Sequence, residues 1–168
     1  KSHMRILDLG TGPGVVPLAI IDLLGRVGAG TAEIYAVERS EEHFEAYNAL
    51  VPAAAAVQGD TVRVEKLIRE DIRELKAGAL PDQIDLMVFS NVLGELRDMN
   101  IEERADLVAR LTGHLAPDGT VVVVEPAAIA AAEPAALSVP DAVASAITAP
   151  GDGVLAQHGT TEPVPMAS

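Results

Sequence analysis

ILDLGTGPG, residues 6–14, decides the fold. Its first half, Ile6 to Leu9, is a short apolar run of the kind that forms a buried strand. Its second half carries Gly10, Gly12 and Gly14, which turn that strand into a helix. A sharp turn with a ligand close to the backbone needs residues that lack Cβ and tolerate positive φ. The unpaired amides at the start of the next helix then face the ligand. The spacing is G-x-G-x-G, whereas the dinucleotide fingerprint is G-x-G-x-x-G/A. Counted from Gly10, that fingerprint puts Val15 where its last small residue belongs. Pro13 also removes an amide that a pyrophosphate could use. Both features disfavour NAD. By itself the loop also fits an ordinary glycine turn.

Strands and helices alternate outward from this loop. Val15–Val27 has helical apolar spacing, with Gly28 and Gly30 as its stop. Glu33–Glu38 reads as a second strand, and Ser40 caps a helix running to about Leu50. Val51–Asp60 reads as an alanine-rich connection. Val62–Arg69 is a third strand, followed by a short helix over Ile72–Lys76. Ile84–Phe89 is the fourth strand. Asn100, with Glu103 placed for a capping box, starts a helix from Ile101 to about His114. Ala116-Pro117-Asp118-Gly119 is a turn. Thr120–Glu125 is a fifth strand, read as too continuously apolar to be half-exposed. The expected fold class is therefore α/β: a Rossmann-like, doubly wound, mostly parallel sheet with helices on both faces. Five strands are evident and a terminal hairpin is not.

Three units of chain follow from this. Residues 1–4 read as a tag remnant of no structural weight, and residues 5–126 as the cofactor-binding domain. Residues 127–168 form an Ala- and Pro-rich segment, expected to be partly irregular with a helical turn or two over Asp141–Thr148.

Acidic residues recur at the strand ends. Glu38 lies 24 positions after Gly14, where a carboxylate can accept from both hydroxyls of a ribose. Asp71 ends the third strand, where a carboxylate can accept from an adenine amino group; pairing with Arg69 or Arg73 is the competing role. Open α/β sheets bind ligands at the carboxyl ends of their strands. The coincidence of loop and acids carries more weight than either part.

At this point the chain resembles the class I S-adenosylmethionine-dependent methyltransferases. Leu7–Gly14 is similar to their first motif, Val37-Glu38-Arg39-Ser40 to the second and Glu70-Asp71-Ile72 to the third. Asp85–Asn91 resembles the fourth, and Leu115–Thr120 with the following valines the fifth. The resemblance implies S-adenosylmethionine as cofactor, with Gly10, Thr11, Gly12 and Gly14 around its methionine part. It implies that Asp8 orders the loop and reaches the amino group. Glu38, with Arg39 beside it, would hold the ribose, and Asp71 and Ile72 would bracket adenine. Ser90 and Asn91 would line the floor near the transferable methyl. Val37–Ser40, Leu93–Leu96 and Val124-Glu125-Pro126 look most like the methyltransferase-like family associated with the small ribosomal subunit of mitochondria, and its prokaryotic relatives. Members of that family can carry metal-binding cysteines, which this chain lacks. The superfamily's sheet has seven strands and a helix before the first motif, so the chain reads as trimmed or incompletely represented.

Composition narrows the remaining choices. The 168 residues suit one domain. They are 49% hydrophobic but only 2% aromatic, so the core must be aliphatic. The formal net charge of −13 disfavours direct binding of nucleic acid, which needs clustered cations. All 12 Lys and Arg lie at or before Arg110. No cysteine is present for a disulfide, thiolate metal site or nucleophile, and no histidine pair has metal-ligand spacing. No apolar run reaches the ~20 residues of a membrane span. No signal peptide is evident, and a cytoplasmic location without a membrane partner is expected.

Catalytic residues are harder to read. Methyl transfer depends chiefly on alignment, and a base is needed only for a protonated nucleophile. Glu95 is the candidate to orient a substrate or act as base; pairing with Arg97 is its competing role. His43, His114 and His158 read as surface histidines. The expected function is an S-adenosylmethionine-dependent methyltransferase whose acceptor is left open: ribosomal RNA or ribosome assembly, a small molecule, or a basic protein. A non-catalytic binding module and a nucleotide-dependent oxidoreductase are the alternatives.

Overall fold

The computed structural model describes residues 2–28, 30–76 and 78–125. The expectations for residues 127–168, and for His158 among them, lie outside the described residues. Five strands and three α-helices follow in the order β1 (His3–Leu9), α1 (Val15–Val27), β2 (Thr31–Val37), α2 (Glu41–Val57), β3 (Val62–Ile68), β4 (Ile84–Ser90), α3 (Ile101–Thr112) and β5 (Leu115–Val124) among the described residues. The sheet order is β3-β2-β1-β4-β5, and every pairing is parallel. The chain steps outward from β1 to β3, then returns to the other side of β1. That reversal creates the crevice at the carboxyl ends of β1 and β4 where such sheets bind ligands.

Alternation of side chains along the strands divides the core in two. Ile6 and Ile34 pack with Ile21 and Leu24 of α1 and with Tyr47 and Val51 of α2. Leu7, Leu9, Met87 and Phe89 pack on the other face, against Leu107, Val108 and Leu111 of α3 and the buried Ile72, Leu75 and Leu80. Tyr47 and Phe89 are the largest fully buried side chains, and aliphatic residues fill the rest. The Rossmann-like expectation therefore holds, and five local expectations are revised.

The first strand begins at His3, because its ladder with β2 continues through His3↔Thr31 and Met4↔Ala32. These residues thus carry structure that the sequence did not suggest. The helix expected to stop near Leu50 runs on to Val57, through Pro52. Tyr47, Val51 and Ala55 recur every four residues on its buried face, and the alanines around them are strong helix formers. Burial and propensity together outweigh one interior proline, whose cost is about 3 kcal/mol.

No helix forms over Ile72–Lys76; a single turn closes there, with Glu74 N–H donating to the Asp71 carbonyl at 2.9 Å. The Asp71 side chain also captures the Arg73 amide at 3.0 Å, a local bond that competes with helix formation.

The fifth strand is an edge strand with alternating burial, not a fully buried one. Val121 and Val123 pack on the core, while Val122 and Val124 are 38% and 50% exposed. The expected Ala116–Gly119 turn is absorbed into β5 as an irregularity, since the register passes from Ile84↔Leu115 to Leu86↔Thr120.

Asn100 caps α3 as expected: its side chain accepts from Glu103 N–H at 3.0 Å and Glu103 accepts back from Asn100 N–H at 2.7 Å. Asn100→Ala should lower stability by about 1 kcal/mol. Urea unfolding should show this as a lower midpoint at unchanged slope. Among the described residues no helix is long and apolar enough to cross a membrane.

Candidate functional site

The carboxyl ends of β1, β2 and β4 open into a cavity of about 540 Å³. The glycine loop forms one wall. Gly10 and Thr11 both donate backbone N–H to the Val37 carbonyl at 3.0 Å, tying the loop to β2. Gly14 caps α1 at φ +96°, a left-handed conformation that L side chains rarely adopt. Val15 and Val16, the first residues of α1, reach the cavity beside Gly12 and Pro13. Pro17 sits in the first turn of that helix, where its missing N–H costs little.

Glu38, just past β2, is 6% exposed yet reaches the cavity. One carboxylate oxygen accepts from Gly12 N–H at 2.7 Å and the other from Ser40 N–H at 2.7 Å. A carboxylate offers about four acceptor positions, so each oxygen keeps one. His43, in the first turn of α2, places Nδ1 3.9 Å from Glu38 and lines the same cavity. It is an exposed histidine, as the sequence suggested, and it stands at the cavity because it lies three residues after the Ser40 cap.

Asp8 lies behind the loop rather than in the cavity. It is fully buried, with Oδ2 accepting from the Thr11 hydroxyl at 2.5 Å. Its Oδ1 has no hydrogen-bond partner among the described residues, and neither does the Tyr47 hydroxyl on the same face of the sheet. Burial pushes the Asp8 carboxyl up to about 6; the Thr11 bond opposes this and the charge of Glu38 adds to it. Burial likewise pushes the Tyr47 hydroxyl far above its ordinary range, helped by the Asp8 charge. Gly14 too is absent from the cavity lining, since it packs back against Val51 and Tyr47.

At the other end, Asp71 and Ile72 line the cavity together with Arg39 and Glu70. All four acceptor positions of Asp71 are engaged. Oδ1 takes the Arg73 amide at 3.0 Å and its Nε at 2.9 Å. Oδ2 takes Arg73 Nη2 at 2.6 Å and Arg39 Nη1 at 3.4 Å. The Arg73 guanidinium holds this carboxyl down at about 2. The competing pairing with Arg73 is thus realised. Ser90, Asn91 and Glu95 complete the wall on the β4 side, joined by Val92 and Leu96, which the sequence did not single out. Asn91 adopts φ +55°, a conformation asparagine tolerates better than most residues.

Of the residues expected at the site, Gly10, Thr11, Gly12, Glu38, Arg39, Asp71, Ile72, Ser90, Asn91 and Glu95 meet around one cavity. A parallel sheet, a left-handed glycine loop and a buried strand-end carboxylate at one crevice define a Rossmann-like cofactor-binding domain. The family described as "Methyltransferase domain" matches residues 1–147, and the chain belongs to it.

Solved structures share the fold. The O-methyltransferase from a trans-AT PKS multienzyme of Brevibacillus brevis, in complex with S-adenosyl-L-homocysteine, is 18% identical with a TM-score of 0.52, covering 73% of this chain and 35% of its own. A SAM dependent methyltransferase from Aquifex aeolicus is 20% identical at TM-score 0.50, covering 73% and 56%. The small RNA methyltransferase HEN1 is 15% identical at TM-score 0.59, covering 73% and 14%. The chain thus spans less than two thirds of the length of each. No curated protein matches it.

Proposed function

We propose that the chain is the cofactor-binding core of an S-adenosylmethionine-dependent methyltransferase. The observation that carries this reading is Glu38. Its two buried oxygens each hold one backbone donor and keep one acceptor position at the cavity, which suits the vicinal hydroxyls of a ribose. Gly10, Thr11 and Gly12, with the first amides of α1, surround the methionine part. Ile72 bounds the adenine. Asp71 meets the adenine amino group only by giving up Arg39, the longest of its contacts at 3.4 Å. Asp8 acts from behind the loop through Thr11 and does not reach the ligand. The cofactor, when bound, supplies an electrophilic methyl group. Ser90, Asn91 and Glu95 bound the space an acceptor would enter, with Glu95 exposed there to orient it or take its proton.

The charge of −13 supports a small molecule or a basic protein as acceptor. The resemblance of Leu93–Leu96 and Val124-Glu125-Pro126 to the small-ribosomal-subunit-associated family supports ribosomal RNA or ribosome assembly instead. Transfer of labelled methyl groups into fractionated cell extract separates these acceptors. Binding without transfer to any fraction would leave the non-catalytic module.

Glu38→Ala should weaken binding of S-adenosylhomocysteine by about 1–3 kcal/mol. The 2′-deoxy analogue gives a control: it should bind the native protein more weakly than the parent ligand, and bind the variant equally to it. Unchanged affinity in Glu38→Ala rejects the ribose role.

A further inference from the structure

Beyond β4 the cavity wall is irregular chain, residues 91–96, and irregular buried backbone must find partners. Asn91 N–H donates to the Val124 carbonyl at 2.8 Å. Leu93–Glu95 then forms a single 3-10 turn with long closing bonds: Glu95 N–H to the Val92 carbonyl at 3.2 Å and Leu96 N–H to the Leu93 carbonyl at 3.3 Å. Two charged side chains from the flanking elements hold what the turn does not. Glu125, the residue after β5, accepts from Leu93 N–H through Oε1 at 2.8 Å. Burial pushes the Glu125 carboxyl up, while the Leu93, Gly94 and Val92 amides favour its ionised form. On the opposite side Arg104 of α3, only 6% exposed, donates Nε to the Leu96 carbonyl at 3.0 Å. A carboxylate thus takes the amide end of the turn, and a guanidinium takes its last carbonyl.

The position of this turn matters because of Val92. A Cβ built on Gly10 would come within 2.5 Å of Val92 Cγ2, so the valine sits directly against the glycine loop. Any shift of the turn alters the spacing between the loop and the β4-side wall.

We propose that Glu125 is a positioning residue, which clamps the Leu93 amide so that the wall meeting the methyl acceptor is formed before ligand arrives. The clamp follows from the contacts alone; its role in transfer rests on the methyltransferase reading above. Arg104 completes it from the other end.

Hydrogen exchange on the intact chain tests the clamp without any ligand. In Glu125→Ala, the amide of Leu93 should exchange about tenfold faster or more, while those of α1 and α2 keep their native rates. Glu125→Gln retains one acceptor for Leu93 N–H and should restore most of the protection. With whichever extract fraction accepts methyl groups, Glu125→Ala should lower the rate at saturating cofactor about tenfold while cofactor affinity changes less than about twofold. Native protection of the Leu93 amide in Glu125→Ala overturns the clamp. Faster exchange together with an unchanged transfer rate overturns its role in the reaction. If the native protein transfers no methyl group, the methyltransferase reading fails while the exchange data still decide the clamp.

Discussion

Gly14→Ala should destabilise the fold by about 3–4 kcal/mol, a large part of the roughly 5–15 kcal/mol that holds a domain together. Two effects add. A side chain at φ +96° carries a left-handed penalty of about 1–2 kcal/mol. The new Cβ would also collide with Val51 Cγ2 and come within 3.1 Å of Tyr47 Cδ2. Both neighbours are fully buried, so neither has room to move, and overpacking of this kind costs about 1–3 kcal/mol. Gly12 is the internal control. Its φ is +56°, but nothing lies within 4 Å of a Cβ built there. Gly12→Ala should therefore cost only about 1–2 kcal/mol of stability, while projecting into the cavity and impairing ligand binding. Urea unfolding of the two variants checks the contrast; equal losses would contradict the packing assigned to Gly14.

Asp8→Asn should stabilise the protein at pH 8 and have little effect at pH 4. Burial raises the Asp8 carboxyl from 3.8 in its ordinary state to about 6 in the folded one. A raised folded value means that the folded state binds the proton more tightly than the unfolded state. The contribution is thus fully present below about pH 4 and is lost as the pH rises through 6. A shift of about two units corresponds to about 3 kcal/mol, the upper limit of what removing the charge can recover. Asparagine keeps an oxygen for the Thr11 hydroxyl. Thermal unfolding from pH 4 to pH 8 should show the gain growing through that window. A gain independent of pH would mean that Asp8 is not the group responsible.

The glycine loop, the strand-end acids and the succession of strands and helices were legible in the sequence because each depends on local chemistry. Gly10 to Gly14 need left-handed backbone, and Glu38 follows directly from the end of a strand. The revisions have tertiary causes. Val51–Asp60 read as a connection, but α2 continues to Val57 because Val51 and Ala55 are buried against the sheet. Four consecutive valines read as fully buried, yet only a sheet order with β5 at the edge explains why Val122 and Val124 are exposed. Asp71 was placed correctly at the cavity. Its saturation by Arg73 and Arg39 depends on side-chain geometry that spacing does not encode. Val92 carried no signal, and Glu125 entered only as part of a resemblance, since their positions come from irregular chain meeting distant elements.

The central claim is that this cavity holds S-adenosylmethionine, and calorimetric titration tests it most directly. Native protein should bind S-adenosylmethionine and S-adenosylhomocysteine saturably and show no heat of binding with NAD. Folded protein that binds neither sulfur ligand, or that binds NAD in their place, would contradict the account.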